Sequence, residues 1–517
     1  MRKIKHLLLL TLTIASFTSC SEENFLNVTN ENELSSANFF SNIEDFDMGL
    51  NAAYSALKSL DLYGQNFYVE TLLALPSESD YWNAQSRNEL NSADGNVYVA
   101  WRGWYRVVAR VNDVIENAPL FIEEHNPTAA DEDQLDVILG QAHFLRGLAY
   151  FNLVRLWGED SYARDHTRLA VPLILKVPSI REDMMQPRST VGEVYTQIIK
   201  DFEFAEDHLL DSWDANNIAR ANKYAAKAFL GQVYLYMGKD IEAIKYFDEV
   251  LQNPNYDLVP FDRYDDLFQG KNEFSEESIF ELGYHIDMQQ NIWENGLGSG
   301  IGLSLAPPGR GWSNVTPHGV NIFRFGDDPR LKIATIASDD SAATAEGDMA
   351  PAGKSEFNYT GHSFRKYVPV DYSVYSTNRN SGINFIIMRL ADIYLMQAEA
   401  KNNVGQVNDA LEYVNKVRRR AYGFNPESPQ ADFDYENLTG TALRDTIREE
   451  RFKELFAEGH RWFDIVRWGI VEEEILKYNE YRVTQGVIIF EDKDYYYPIP
   501  LQEVDNNVNM VPSTGYE

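Results

Sequence analysis

Between residues 222 and 254 the chain places Leu230, Gly231, Tyr234, Gly238, Ala243 and Phe247 at the spacings of a tetratricopeptide repeat, with Pro254 one residue short of its usual place. The constraint is steric. Small residues at Gly231 and Ala243 let two antiparallel helices approach closely, and Tyr234 and Phe247 fill the space between them. A weaker copy runs from Tyr394 through Ala398, Gly405 and Ala410 to Val414 and Val417, with Lys401 where a large aromatic belongs. A regular solenoid shows an unbroken array, so two copies this far apart in sequence point to helix pairs built into a globular domain.

Helical periodicity extends to either side. Phe46, Leu50, Ala53, Tyr54 and Leu57 keep an apolar period through residues 39–60, and residues 101–115 and 134–157 are further predicted helices. Thr190-Val191-Gly192-Glu193 is a capping box, in which the threonine oxygen and the glutamate carboxylate satisfy free backbone N–H groups. The helix it opens buries Val194, Ile198, Phe202, Ala205 and Leu209. Across residues 261–385 the periodicity collapses. Gly296, Gly298, Gly300 and Gly302 crowd one stretch, Pro307, Pro308, Gly309 and Gly311 the next, and hydrophilic turns fill residues 339–358. The expected fold is mostly α: tetratricopeptide-like helix pairs forming a globular scaffold, with a loop-rich insertion and a few short strands. The expected divisions are a signal at 1–19, a helical region at 20–260, the insertion at 261–385 and a C-terminal helical region at 386–517.

Composition removes whole classes of function. Cys20 is the only cysteine, so no internal disulfide framework and no cysteine-based zinc or iron–sulfur site can form. Ahead of it stand a basic start (Arg2, Lys3, Lys5), an apolar stretch over residues 7–17, and Thr18-Ser19. That is the order of a secretory signal, and its apolar core is too short to span a bilayer. Ending on the sole thiol, it reads as a bacterial lipoprotein signal, cleaved before Cys20 and diacylated on its sulfur. Phe17 and Ser19 depart from the usual Leu and Gly or Ala at their positions. The net charge of −33 repels nucleic acid and offers no polybasic attraction to anionic lipid. No other apolar run approaches spanning length, so the membrane is reached through the N-terminal lipid alone.

Residues 447–469 read IREERFKELFAEGHRWFDIVRWG. As a helix this run puts Glu450 and Glu454 on one face, Glu458 continues the row, and Arg451 and Arg461 supply nearby cations. Phe452, Leu455, Phe456 and Trp462 form the apolar side, and Gly459 lets the chain turn or another helix approach. These acids read as an ion-pair network locking the last helices to the repeats, rather than as catalytic groups. Glu450-Arg451, Glu454-Leu455, Glu458-Gly459, Arg461, Asp464 and Arg467-Trp468 fall in the order of a known signature. The run resembles the C-terminal motif of the SusD/RagB family, surface lipoproteins of Bacteroidetes that capture nutrients. Phe456-Ala457 departs from it, since the family more often carries the aromatic second. Trp101, Tyr105 and Asn112, then Ala142 to Arg146 with Tyr150 and Gly158, are similar to the family's early helices. Arg389 to Ala400 with Asn415 and Arg418 resembles its last repeat, and Tyr497, Pro500, Gln502 and Tyr516 its tail. Ser21-Glu22-Glu23 resembles the acidic tag that sends such lipoproteins to the outer face of the outer membrane.

The resemblance implies a SusD-like scaffold, lipid-anchored at Cys20 and facing the cell exterior, that binds a glycan or other oligomeric nutrient without transforming it. It also implies a SusC-like TonB-dependent transporter as partner, over which the protein sits as a lid. No cofactor, metal or catalytic residue is expected. Gly347 to Ser355 has five residues between its glycines where a phosphate loop needs four, and neither HExxH nor Gly-x-Ser-x-Gly occurs. His143, on an apolar helix, reads as a satisfied core residue.

Sugar rings pack C–H faces on aromatic rings while Asp, Asn or Arg groups fix their hydroxyls. Aromatic residues in polar, loop-like contexts are therefore the candidates: Asp80-Tyr81-Trp82-Asn83 with Arg87, then Trp293, then Trp312 with Asn314. Trp101, Trp104, Trp462 and Trp468 belong to helices and are expected in the core. Two rival readings are a surface glycoside hydrolase using paired carboxylates of the insertion, and a repeat scaffold with no small ligand.

Overall fold

The computed structural model describes residues 39–75, 79–80, 84–285, 298–306, 315–337, 361–369, 381–479 and 486–517. Helices dominate. α1 (Ile43–Leu57) opens with an Asn42/Asp45 capping box and lies against α2 (Gly95–His125), which in turn packs on α3 (Ala129–Trp157). α3 is buried around most of its circumference because α4 (Val191–His208) covers its other side. The expected capping box starts α4: the Thr190 hydroxyl accepts from Glu193 N at 3.2 Å, and the Glu193 carboxylate accepts from Thr190 N at 2.7 Å. His143 is satisfied as expected, with Nδ1 2.7 Å from Asp201, which also takes the Arg146 guanidinium.

The first repeat folds as α5 (Lys223–Tyr236) against α6 (Asp240–Leu251). A Cβ at Gly231 would stand 2.5 Å from the Phe247 ring, so the two helices touch there with only hydrogen between them. Phe247 fills the interior as expected, but Tyr234 does not. It is partly exposed and stacks on Tyr246 at 5.7 Å, because its position on α5 faces along the helix pair. The second repeat is α8 (Leu390–Asn403) with α9 (Val407–Ala421). It packs directly on the first: α6 contacts α8, Gln397 donates to Asp248 at 2.6 Å, and Asn403 donates to Asp240 at 3.0 Å. Repeats far apart in sequence are thus neighbours in space, and the helix pairs form a continuous stack that the chain leaves and re-enters.

The excursion has a neck. β2 (Ser278–Leu282) leads out and β6 (Phe385–Arg389) returns antiparallel to it, with Ser278 opposite Arg389, and β6 runs straight into α8. Beyond the neck, β1 (Ser79–Asp80) pairs with β3 (Thr316–Pro317), and β4 (Thr335–Ala337) with β5 (His362–Phe364). A short helix, α7 (Gly319–Phe325), follows β3. The C-terminal region adds α10 (Gly440–Leu455), which packs on α8 and α9, then α11 (Arg461–Arg467) and α12 (Val471–Asn479). Trp101, Trp104 and Trp462 are buried, while Trp468 is partly exposed with its indole N–H on Glu399 at 2.9 Å. Among the described residues no helix is long and apolar enough to cross a membrane.

Candidate functional site

The site begins with what holds the neck. Arg389, at the end of β6, is fully buried and reaches Glu277 at 2.7 Å, Glu454 at 2.6 Å and Glu458 at 2.7 Å. Arg420 at the end of α9 also pairs with Glu277 and Glu454. From within the insertion come Arg330, on Asp328 at 2.8 Å, Glu450 at 2.7 Å and Glu454 at 3.0 Å, and Lys366, on Glu458 at 2.7 Å. The acids expected to form a network do so and tie the insertion and its neck to the repeats, but Arg451 and Arg461 are not their cations: Arg451 pairs with Asp392 and Asp464, and Arg461 with Glu474. Burial alone would raise the Glu454 carboxyl, but Arg420, Arg389 and Arg330 outweigh it and hold Glu454 well below the usual carboxylate range. Burial likewise opposes ionisation of Glu458, and Arg389 and Lys366 reverse it. Such buried clusters hold geometry because no member can leave without stranding a charge in a dry interior.

Directly after Glu458, Gly459 sits at φ +81°, and a Cβ there would stand 2.8 Å from Leu72. Leu72 belongs to a π-helix, Phe67–Leu73, whose Tyr68 hydroxyl donates to the Ala457 carbonyl at 2.5 Å. π-Helical geometry is rare, and where it appears as a turn within helical structure it is frequent at functional sites. This one is the hub from which the candidate loops spring. The short helix Ile301–Leu305 packs on it, Gln65 donates to Ser304 at 2.7 Å, and Gly300 N donates to Gly64 O at 2.9 Å. Ser299 and Ser381 exchange backbone hydrogen bonds of 2.7 and 3.0 Å, which closes another pair of loop roots beside it.

β1 and β3 join the two sequence clusters. Asp80 lies opposite Thr316 across the ladder, so the chain leading into Tyr81 and Trp82 and the chain leaving Trp312 and Asn314 are rooted side by side. Thr316 is buried, and β3 also lies against β5, while the α7 that follows it is tied to α12, where Asn321 accepts from the Tyr478 hydroxyl at 3.3 Å. Arg87 is presented by a turn whose neighbours are buried: Gln85 and Ser86 face inward, and Gln85 donates to Asp94 at 3.2 Å. Asn88 takes a left-handed φ of 57° and donates to the Ile489 carbonyl at 3.2 Å. Arg87 itself is partly exposed, with Nε 2.9 Å from Glu89. Cys20, Tyr81, Trp82, Asn83, Trp293, Trp312 and Asn314 lie outside the described residues.

Sequence reasoning missed the β1–β3 pairing, since two-residue strands carry no periodicity. It also missed Trp213, which the rule used for the other candidates would have found: it stands in Asp211-Ser212-Trp213-Asp214, an aromatic in a polar loop, and is partly exposed.

The fold and these rooted loops define a helical-repeat scaffold carrying a loop-bearing insertion on an ionic neck. A model of the SusD family matches residues 276–516, and another, described as starch-binding and associating with the outer membrane, matches residues 24–235. The chain belongs to the SusD/RagB family. A SusD-like protein of Formosa agariphila is 26% identical over 99% of this chain and 98% of its own length, and one of Bacteroides ovatus is 27% identical over 94% and 87%. A SusD homologue from Bacteroides thetaiotaomicron superposes with a TM-score of 0.74 at 22% identity, covering 94% of this chain and 99% of that one. A laminarin-binding SusD-like protein gives 0.71 at 24%, covering 92% and 100%.

Proposed function

We propose that this chain captures an oligo- or polysaccharide at the cell surface and passes it to a SusC-like TonB-dependent transporter, held to the outer membrane by lipid on Cys20. The observation that supports this reading is the β1–β3 pairing, which sets Asp80 opposite Thr316 and so brings together the ends of the two segments that carry the candidate aromatics. Sites built on loops anchored this way keep their geometry while their tips vary. The starch-binding and laminarin-binding descriptions of relatives support a glycan as the ligand class. Binding without bond cleavage fits the chemistry of the neck, whose buried acids are committed to guanidinium and ammonium partners.

Domain limits at 20–260, 261–385 and 386–517 belong to the same proposal, with ligand choice residing in the middle segment. The test is a glycan array followed by calorimetry on residues 21–517, with Trp82→Ala, Trp293→Ala and Trp312→Ala beside the parent. A hit whose affinity falls by about tenfold or more in at least one variant supports the site. Unchanged affinity in all three sinks it, and release of shorter sugars from the hit would replace capture by hydrolysis.

A further inference from the structure

A cavity of about 220 Å³ lies where the end of α1, the loop between α4 and α5 and the end of β2 meet, lined by Asn51, Lys58, Asn216, Arg220 and Leu282 among others. Its walls are fixed. Lys223 N donates to Leu210 O at 2.9 Å to close the loop, Asp214 accepts from Asn216 N at 2.8 Å, and the Trp213 indole donates to Ala221 O at 2.9 Å. Arg220 is fully engaged, on Asp47 at 2.8 Å, Asn51 at 3.1 Å and Asn217 at 3.1 Å, so its charge is offset in place.

Lys58 is different. It is partly buried, its ammonium stands 5.5 Å from the centre of the Tyr284 ring, and no carboxylate lies within ion-pair distance among the described residues. Burial, with nothing to oppose it, pulls its pKa down. In a chain with 79 acids an uncompensated, half-buried ammonium is costly to keep and easy to pair. Beside it the Asn216 carboxamide, exposed at the cavity rim, makes no hydrogen bond among the described residues and is free to donate inward.

We propose that this cavity binds the anionic group of an acidic sugar, a carboxylate or a sulfate ester, with Lys58 as counter-ion and Asn216 as hydrogen-bond donor. An adjoining cavity of about 340 Å³ shares Ala219 and Arg220 with it and presents Trp213, Tyr256, Asn222 and Asn255. An aromatic face beside a carboxamide is the lining that receives the next ring, its C–H face on Trp213 and a hydroxyl on Asn255, while Asn222 is committed to capping α5 and to the Tyr256 hydroxyl. The sugar portion rests on the glycan reading above, whereas the anion site stands on Lys58 and Asn216.

The experiment is saturation-transfer NMR on residues 21–517 with glucuronate, glucose 6-sulfate and glucose. At least one charged sugar should bind saturably and more weakly as salt rises, while glucose does not. Lys58→Met should weaken that binding by roughly tenfold or more, and Lys58→Arg should retain part of it. Unliganded Lys58→Met should melt no lower than the parent, which separates a lost counter-ion from a damaged fold. Binding of glucuronate only, of the sulfate only, or of both identifies the source of the charge. No binding by either, equal binding of glucose, or unchanged affinity in Lys58→Met overturns the proposal. Each such failure leaves the tryptophan variants free to report on glycan capture, and glucuronate binding at Lys58 without any array hit would overturn capture instead.

Discussion

Arg389 and Glu454 face one another at 2.6 Å with both side chains shut away from water, one at the end of the strand that closes the insertion and the other on the C-terminal signature helix. The pair couples two parts of the chain that share no backbone continuity. Its removal from one side should therefore be severe, since the remaining partner is left charged in a dry site. Arg389→Met and Glu454→Ala should each lower the unfolding free energy by about 3–5 kcal/mol, measured by urea titration. A loss below about 1 kcal/mol, the value of an exposed pair, would show that water reaches the network.

This network and the neighbouring cluster of Arg451 and Arg467 with Asp464 and Glu399 set an acid limit. Glu454, Glu458 and Glu399 are held below their ordinary value of 4.5, and Arg451 and Arg467 overcome burial to hold Asp464 at about 2. Carboxyls with lowered folded pKa values contribute stability that is complete above the unfolded value and drains away as pH falls through the folded one. Glu273, which burial pushes up to about 7, should tilt the urea midpoint down as pH rises from 4.5 to 7. The lowered carboxyls should make it drop steeply as pH falls from 4.5, the ordinary value for Glu, toward 2, the folded value at Asp464. Glu454→Gln should start lower and fall less steeply. A parent midpoint that stays flat across that window would contradict the assignment.

At the first repeat, closeness itself is the stabilising feature. The absent Cβ of Gly231 would lie 2.5 Å from the buried Phe247 ring. Gly231→Ala should cost about 1–3 kcal/mol through overpacking. Adding Phe247→Leu should recover part of that loss, so the double variant is less destabilised than the two singles together. Strict additivity, read from thermal or urea unfolding, would mean that the helices part to accommodate the methyl group.

Helix pairs were readable because their signals are local: a period of 3.6, small residues where helices cross, and a capping box at Thr190. Glu450 and Glu454 were readable as a network for the same reason, since they share one helix face. The expected row does not run on to Glu458, because the helix ends at Leu455 and Glu458 reaches the cluster from the turn that Ala457 and Gly459 make at positive φ. The cations of these acids were not readable. Arg330, Lys366 and Arg389 stand far off in sequence and reach the acids only after the insertion has folded back. The π-helix at Phe67–Leu73 and the two-residue strands were equally silent, because neither has a period long enough to register in sequence. Trp213 carried a usable signal, an aromatic among polar loop residues, and Lys58 none, since an unpaired lysine is recognised only by what fails to surround it.

Gly459 offers the most direct link between the signature and the candidate loops. Its φ of +81° strains any other residue, and a Cβ would press on Leu72 at 2.8 Å. Gly459→Ala should cost about 1–3 kcal/mol from backbone strain and overpacking together. The displacement is also directional. Leu72 belongs to the π-helix on which the loop roots at Gln65, Gly300 and Ser304 are assembled. Glycan affinity should therefore fall in Gly459→Ala, while Gly231→Ala, comparably destabilised but placed in the repeat, should bind as the parent does. Calorimetry on both variants at a temperature where each is folded makes the comparison. Equal affinities in the two would separate the π-helix from the binding site and leave Gly459 a purely structural turn.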